Sequence, residues 1–307
     1  MDILAATTNA KPQYGVILTS PVLPLETTKH TQLEIGFGNG EYTVQYAEAH
    51  PDVMFYGVEI SQACVLKCAR RAAGLSNLRI LNTDARYMLR ELFRDEALEH
   101  IIMQFPCPWS SNKQAHRRVT AKDFSDGLAA VLKSGGEFEM LTDDEPYSLE
   151  VREVLGKHPA LGLTAYEVNP KRSITTKYER KWLAEGKNIY RVVFTKTHTF
   201  TAERRVTHEM HIKINSAAAA QSIASLRNVE GKNGKAFWKF GQSFTDGKTF
   251  LLETLTSDDE FGQKFYIHIA PHDDGTLIRL DKTADAFLTP AVRGALSDAA
   301  ERLNEGR

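Results

Sequence analysis

Gly36, Gly38 and Gly40 lie in the stretch Leu33-Glu34-Ile35-Gly36-Phe37-Gly38-Asn39-Gly40-Glu41. Leu33 and Ile35 end an apolar strand. The glycines let the backbone turn tightly and let a ligand approach the main chain, and the helix that follows points free N–H groups at whatever binds there. About twenty residues on, Gly57-Val58-Glu59-Ile60 ends a second strand on an acid, where a carboxylate can accept both ribose hydroxyls of a nucleoside. The glycine spacing is G-x-G-x-G rather than the dinucleotide G-x-G-x-x-G, so S-adenosylmethionine fits better than NAD. An ordinary strand–turn–helix connection is the plainer reading. A third acid, Asp84, followed by Ala85, ends a third strand. It can accept from an adenine amino group or cap the next helix.

Four further clusters carry polar chemistry. Phe105-Pro106-Cys107-Pro108-Trp109 ends a fourth strand, and its two prolines force a rigid, extended turn. Trp109 can stack on a base or pack. Lys113-Gln114-Ala115-His116-Arg117-Arg118 follows, a solvated charged face or a contact to a phosphate backbone. Thr142-Asp143-Asp144 ends a fifth strand, where Asp143 can accept from a base edge or cap a helix. Lys171–Lys181 holds five basic residues and one acid, and its Thr176-Lys177-Tyr178-Glu179 mixes hydroxyl, cation, aromatic and carboxylate, a set suited to an exposed base.

The elements that must position these groups alternate. Strands are expected at Thr31–Phe37, Val53–Val58, Leu78–Leu81, Glu99–Phe105 and Glu137–Leu141. Helices are expected at Glu41–Glu48, Ser61–Ala73, Ala85–Phe93, Lys122–Leu132 and Pro146–Leu155, and Leu163–Val168 and Asn188–Thr195 read as a final strand pair. Such alternation predicts an α/β fold, a Rossmann-like, mainly parallel sheet covered on both faces, with ligands at the strands' C-terminal ends. Residues 1–30, with Pro12, Pro21 and Pro24, read as an irregular N-terminal arm.

The pattern changes at about Lys196. Strands at Ala202–Ile214, Ala236–Phe240, Phe250–Thr256, Phe265–Ala270 and Thr276–Leu280 are separated by turn signals at Gly231–Gly234, Asp246-Gly247, Asp258-Asp259 and Asp273-Asp274-Gly275, with a short helix near Ala217–Ala220 and a closing helix at Pro290–Leu303. The expected organisation is an arm over 1–30, an S-adenosylmethionine-binding domain over 31–196 and a smaller α+β domain, rich in antiparallel strands, over 197–307.

Composition is that of a soluble globular chain: 307 residues, 42% hydrophobic, 25% charged, net charge −1. Residues 1–196 hold 24 basic and 24 acidic side chains, and 197–307 hold 14 and 15, so the second part is not a polybasic nucleic-acid arm. No apolar run is long enough to cross a membrane and no leader pattern opens the chain, so the cytoplasm is the expected location. Cys64, Cys68 and Cys107 form no disulfide framework. Cys64 and Cys68 read as core or helix-face thiols, and no metal site is expected. The sequence does not set the oligomeric state.

These motifs, in this order, resemble the bacterial-type tRNA (guanine-N7)-methyltransferases over residues 31–196: LEIGFGNGEY, GVEI, TDA, FPCPW followed by HRR, LTDDEPY and TKYERKWLAEGKNIYR. The resemblance implies methyl transfer from S-adenosylmethionine to guanine N7 in the tRNA variable loop. It implies that Glu34, Glu59 and Asp84, with Gly36, Gly38, Gly40 and Ala85, hold the cofactor. Asp143 and Thr176, Lys177, Tyr178 and Glu179 then hold the guanine. The charge run read above puts His116, Arg117 and Arg118 against the RNA, and of these Arg117 and Arg118 match the family. The family's turn is normally FPDPW, with Asp at the position of Cys107. Ser111 stands where a substrate-contacting Lys is usual, Gln114 where a His is usual and His116 where a Lys is usual. The Arg-rich N-terminal arm common in the family is not evident.

Guanine N7 carries a lone pair and no proton, so its methylation needs in-line placement rather than a general base, and Cys107 can stand at the catalytic turn as a neutral positioning group. Two other readings stay open. Cys107 can be the nucleophile of a pyrimidine C5-methyltransferase, its thiol activated by Arg117, Arg118 or His116. Alternatively, the chain can be a catalytically impaired tRNA-binding relic.

Overall fold

The computed structural model describes residues 15–18, 22–109, 111–207 and 209–305. Two compact units emerge, Met1–Glu203 and Arg204–Arg307. Pro12 and Pro21 of the expected arm lie outside the described residues.

The first unit is the expected α/β sheet. In chain order its elements are β1 (Val16–Leu18), β2 (Thr31–Ile35), α1 (Glu41–Ala49), β3 (Met54–Glu59), α2 (Gln62–Arg71), β4 (Leu78–Asn82) and α3 (Ala85–Leu92). Then come β5 (Leu98–Gln104), a 3₁₀ turn (Asn112–Arg117), α4 (Lys122–Val131), β6 (Leu132–Thr142), α5 (Glu145–Leu155), β7 (Leu161–Val168), α6 (Lys177–Ala184) and β8 (Tyr190–Lys196). The eight strands run in the order β1-β4-β3-β2-β5-β6-β8-β7. β1 to β6 are parallel, and β8 pairs antiparallel with both β6 and β7. The central strands are buried on both faces: Leu33 and Glu34 in β2, Ile101 and Ile102 in β5, Met140 and Leu141 in β6. That burial is why they read as near-continuous apolar runs. The order reverses between β2 and β5, and the crevice beyond their carboxyl ends is where such sheets take ligands.

Helix starts follow local chemistry. Ser61 caps α2 by accepting from Cys64 N at 3.4 Å, Asp84 caps α3 by accepting from Arg86 N at 2.9 Å, and Asp144 caps α5 by accepting from Tyr147 N at 2.8 Å. Three features differ from expectation. The arm contains β1, paired with β4. β6 starts at Leu132, directly after α4, and a register shift absorbs the glycines between it and Glu137. Residues 177–184, read from the sequence only for their side chains, form α6.

The second unit is a six-stranded antiparallel sheet in the order β10-β11-β12-β13-β14-β9, with two helices. Its elements are β9 (His211–Ile214), α7 (Ala220–Ser225), β10 (Glu230–Asn233), β11 (Ala236–Thr245), β12 (Phe250–Asp258), β13 (Phe261–His272), β14 (Gly275–Leu280) and α8 (Pro290–Glu305). Trp238, Phe240, Leu252, Ile267 and Ile278 pack against the Ala295, Leu296 and Ala299 side of α8. The strand expected over Ala202–Ile214 shrinks to β9. The charged Glu203-Arg204-Arg205 run stays outside the sheet, and Thr207 makes an isolated bridge to Leu288. The turn expected at Gly231–Gly234 is mostly β10. Gly231 sits opposite Trp238, and a Cβ there would fall 2.2 Å from the indole, so glycine serves packing across the strands.

Candidate active site

The glycine turn is shaped by backbone geometry. Gly36, Gly38 and Gly40 all have positive φ, at 72°, 56° and 75°. Gly40 is also sterically required, because a Cβ there would lie 2.4 Å from Cys68 Sγ. Cys68 is thus a core thiol, and burial pushes its pKa up to about 12.

Beside this turn lies a cavity of about 380 Å³. It is lined by Glu34, Gly36 and Gly38 from the turn, Gln104 and Cys107 from the end of β5, and Asp143, Thr176 and Tyr178 from the far side. The cavity therefore gathers groups that are up to 148 residues apart in the chain, from Glu34 to Trp182. Gly40, Glu59, Asp84, Ala85, Lys177, Glu179, His116, Arg117 and Arg118 are not among its lining residues.

Glu34 is the buried polar centre. One carboxylate oxygen accepts from Thr43 Oγ1 at 2.5 Å and the other from Gln104 Nε2 at 2.9 Å. Burial raises its pKa to about 7, opposed by those two hydrogen bonds and by the Arg172 charge. Gln104 spends its N–H on Glu34, and its Oε1 is buried with no hydrogen-bond partner. An acceptor left unpaired beside a buried carboxylate can accept from the N–H donors of a cation.

Glu59 is already engaged, accepting from Gly38 N and from Ser61 N, both at 2.9 Å. It therefore fixes the glycine turn, and each oxygen keeps a lone pair. Asp84 accepts from Arg86 N and pairs with the Arg86 guanidinium as well as capping α3.

The Phe105–Trp109 turn is strained, with φ of 52° at Phe105 and 47° at Trp109. Arg118 holds it: its Nε donates to Pro108 O at 3.1 Å, its NH2 to Trp109 O at 2.8 Å and its NH1 to Glu150 at 2.7 Å. Arg117 lies 5.0 Å over the Trp109 ring, and His116 is exposed at the end of the 3₁₀ turn. Cys107 is exposed on the turn. The guanidinium of Arg118 is thus committed to the backbone and to Glu150.

On the far wall, Asp144 takes the capping role at α5 and leaves Asp143 facing the cavity, paired with Lys187 at 2.8 Å. Lys187 lies 3.7 Å over the ring of Trp182, another lining residue. Thr176 and Glu179 form a capping box at the start of α6. Glu179 is 2% exposed and pairs with Arg172 at 2.6 Å, so its carboxylate braces α6. Lys177 N donates to Glu41 at 3.0 Å, and Arg180 reaches the same carboxylate at 2.7 Å. Glu41, the first residue after the glycine turn, thereby ties α6 to α1, and the Arg180 hydrogen bond lowers its pKa.

Sequence reasoning missed Gln104, Trp182 and the Arg172–Glu179 pair. A polar residue closing the apolar strand Ile101-Ile102-Met103 signalled the first, and the T-x-x-E pattern of a capping box signalled α6.

The model of a family described as "Putative methyltransferase" matches residues 28–192. A Thermotoga maritima protein named tRNA (guanine-N(7)-)-methyltransferase is 33% identical over 276 residues, which are 88% of this chain and 88% of that protein. The Aquifex aeolicus protein of the same name is 31% identical over 291 residues, 89% of this chain and 94% of its own. The Saccharophagus degradans protein of that name is 34% identical over only 61% of this chain, yet 86% of its own length is covered, so shorter members exist. Its motifs, its sheet and these relatives place the chain in the tRNA (guanine-N7-)-methyltransferase family.

Proposed function

We propose that this chain transfers a methyl group from S-adenosylmethionine to N7 of a guanine in the tRNA variable loop. We place the reaction on residues 31–196, with 197–307 as a separable second domain. The observation that carries the reading is the cavity itself, lined by the glycine turn, Glu34, Gln104 and Cys107 together with Asp143, Thr176 and Tyr178.

The residues present fit the cofactor. Glu34 and the unpartnered Gln104 Oε1 suit its ammonium group, and the open space over Gly36 and Gly38 admits close approach to the backbone. Glu59 and Asp84 would take the ribose and adenine with the lone pairs left to them. When bound, S-adenosylmethionine supplies an electrophilic methyl on a sulfonium. Asp143 and the Thr176 hydroxyl provide acceptors for the N–H edge of guanine, and Tyr178 provides an aromatic face. N7 attacks through its own lone pair, so no residue must remove a proton. A thiol at position 107, where the family usually has Asp, is compatible with that chemistry. His116 and Arg117 lie outside the cavity, where the RNA backbone would pass, and Arg118 shapes the turn.

The test uses two tRNA transcripts, one with guanosine and one with 7-deazaguanosine, each incubated with full-length protein and methyl-labelled S-adenosylmethionine. Label enters only the guanosine transcript. Equal labelling of both would exclude N7 as the acceptor.

A further inference from the structure

The second unit has almost no net charge, yet the structure sorts its charges by face. Along the strands, Leu252, Ile267 and Ile278 turn towards α8, and their neighbours turn away from it. Strand pairing aligns Phe244, Leu251, His268, Arg279 and His211 in one row across β11, β12, β13, β14 and β9. Lys239, Leu255 and Lys264 form a parallel row, and Lys213 lies opposite Leu277 on the other side. Acids on the same face are Glu253, paired with Lys264 at 2.6 Å, Glu230, paired with Lys239 at 2.8 Å, and Asp281, whose N–H donates to Tyr266 O and whose charge acts on His268, so Arg279 and Lys213 are the cations offered to a ligand. Phe244 is 49% exposed, and its ring stands 6.1 Å from that of Tyr266. Arg279 Nε and His268 Nδ1 are buried and have no hydrogen-bond partner, whereas Lys213 is exposed.

We infer that this open face of the six-stranded sheet is a second tRNA contact, stacking unpaired bases on Phe244 and Tyr266 and holding phosphates at Arg279 and Lys213. The inference rests on the reading of the chain as a tRNA methyltransferase. A sheet that offers aromatic rings flanked by cations suits single-stranded RNA, because every base has a stacking face and every linkage a negative charge. An apolar protein partner fits less well. It would bury Arg279 and Lys213 among apolar groups, and charged residues are depleted from the cores of protein interfaces. Because shorter family members exist, this contact should add affinity for tRNA and leave the chemical step alone.

The experiment compares full-length wild type with two double variants, Phe244→Ala with Tyr266→Ala, and Lys213→Glu with Arg279→Glu. Each is expected to raise the KM for tRNA about tenfold, with kcat at saturating tRNA and cofactor affinity held within about twofold. The charge variant also shows a shallower dependence of tRNA affinity on salt, by roughly one to two in the log–log slope. The charge-conserving pair Lys213→Arg with Arg279→Lys keeps the wild-type KM. A wild type that fails to methylate tRNA refutes the proposed function. An active wild type, with both double variants unchanged in tRNA KM and salt slope, overturns the sheet contact and leaves the face to another partner. Equal losses in cofactor and tRNA affinity would also overturn it, since they report a folding defect.

Discussion

Glu34 and Cys107 carry the residue-scale account. Glu34 has its pKa raised from 4.5 to about 7, chiefly by burial. Ligand-free protein therefore holds a proton there that the unfolded chain has released, and stability falls as pH rises through that window. An ammonium ligand beside Glu34 favours the ionised carboxylate. Affinity for S-adenosylhomocysteine, measured by calorimetry, should rise with pH up to about 7 and level off above it, by at most tenfold per pH unit. Glu34→Gln should flatten that profile, and a wild-type profile with no slope below 7 would remove the ammonium from this site. Cys107 is expected to be replaceable. Cys107→Ala should keep kcat within about threefold, because N7 brings its own lone pair. A 5-fluoropyrimidine RNA should form no covalent adduct with wild type. The charge that would activate a nucleophilic thiol is partly committed elsewhere, with Arg118 on two carbonyls and Glu150.

At the scale of elements, two braces hold the cavity walls. Arg118 secures the turn after β5, and the capping box with Arg172 secures α6. Glu179→Gln leaves the nearly buried Arg172 without its counter-charge, and a loss of about 3 kcal/mol is expected in urea unfolding, on the scale of a broken buried pair. An unchanged urea midpoint would return Glu179 to a direct substrate role. Arg118→Ala should lower kcat about tenfold or more while leaving cofactor affinity near wild type, because the strained turn loses its clamp without any change at the glycine loop. Most of the sheet was legible because β2 to β5 carry apolar residues between turn signals, and Ser61, Asp84 and Asp144 sit at helix starts, whereas β1, inside the proline-bearing arm, was not. The glycine turn and the Pro-Cys-Pro turn were legible for the same reason, since both are local. The partners of Glu34 and Arg118, and the bond from Gly38 N to Glu59, were not, because each depends on how distant elements pack. Gln104 and Glu34 are 70 residues apart, and Arg118 and Glu150 are 32 apart.

At the scale of the whole molecule, the chain joins a methyltransferase sheet to a second unit that the sequence described only as antiparallel strands. The alternation of Leu252, Ile267 and Ile278 with charged and aromatic neighbours was readable, but the row from Phe244 to His211 needed the strand register. Limited proteolysis should cut first between about 197 and 210, near the boundary of the compact units, and release two fragments that resist further digestion. Scattered cleavage throughout 204–307 would contradict a separable second domain. The central claim is methylation of guanine N7 without a nucleophile from the protein. Its most direct test incubates wild type and Cys107→Ala with undermodified tRNA and labelled S-adenosylmethionine, then digests the tRNA to nucleosides for mass spectrometry. The account predicts label in 7-methylguanosine from both enzymes. No label from wild type, or label in a methylated pyrimidine that disappears with Cys107→Ala, would contradict it.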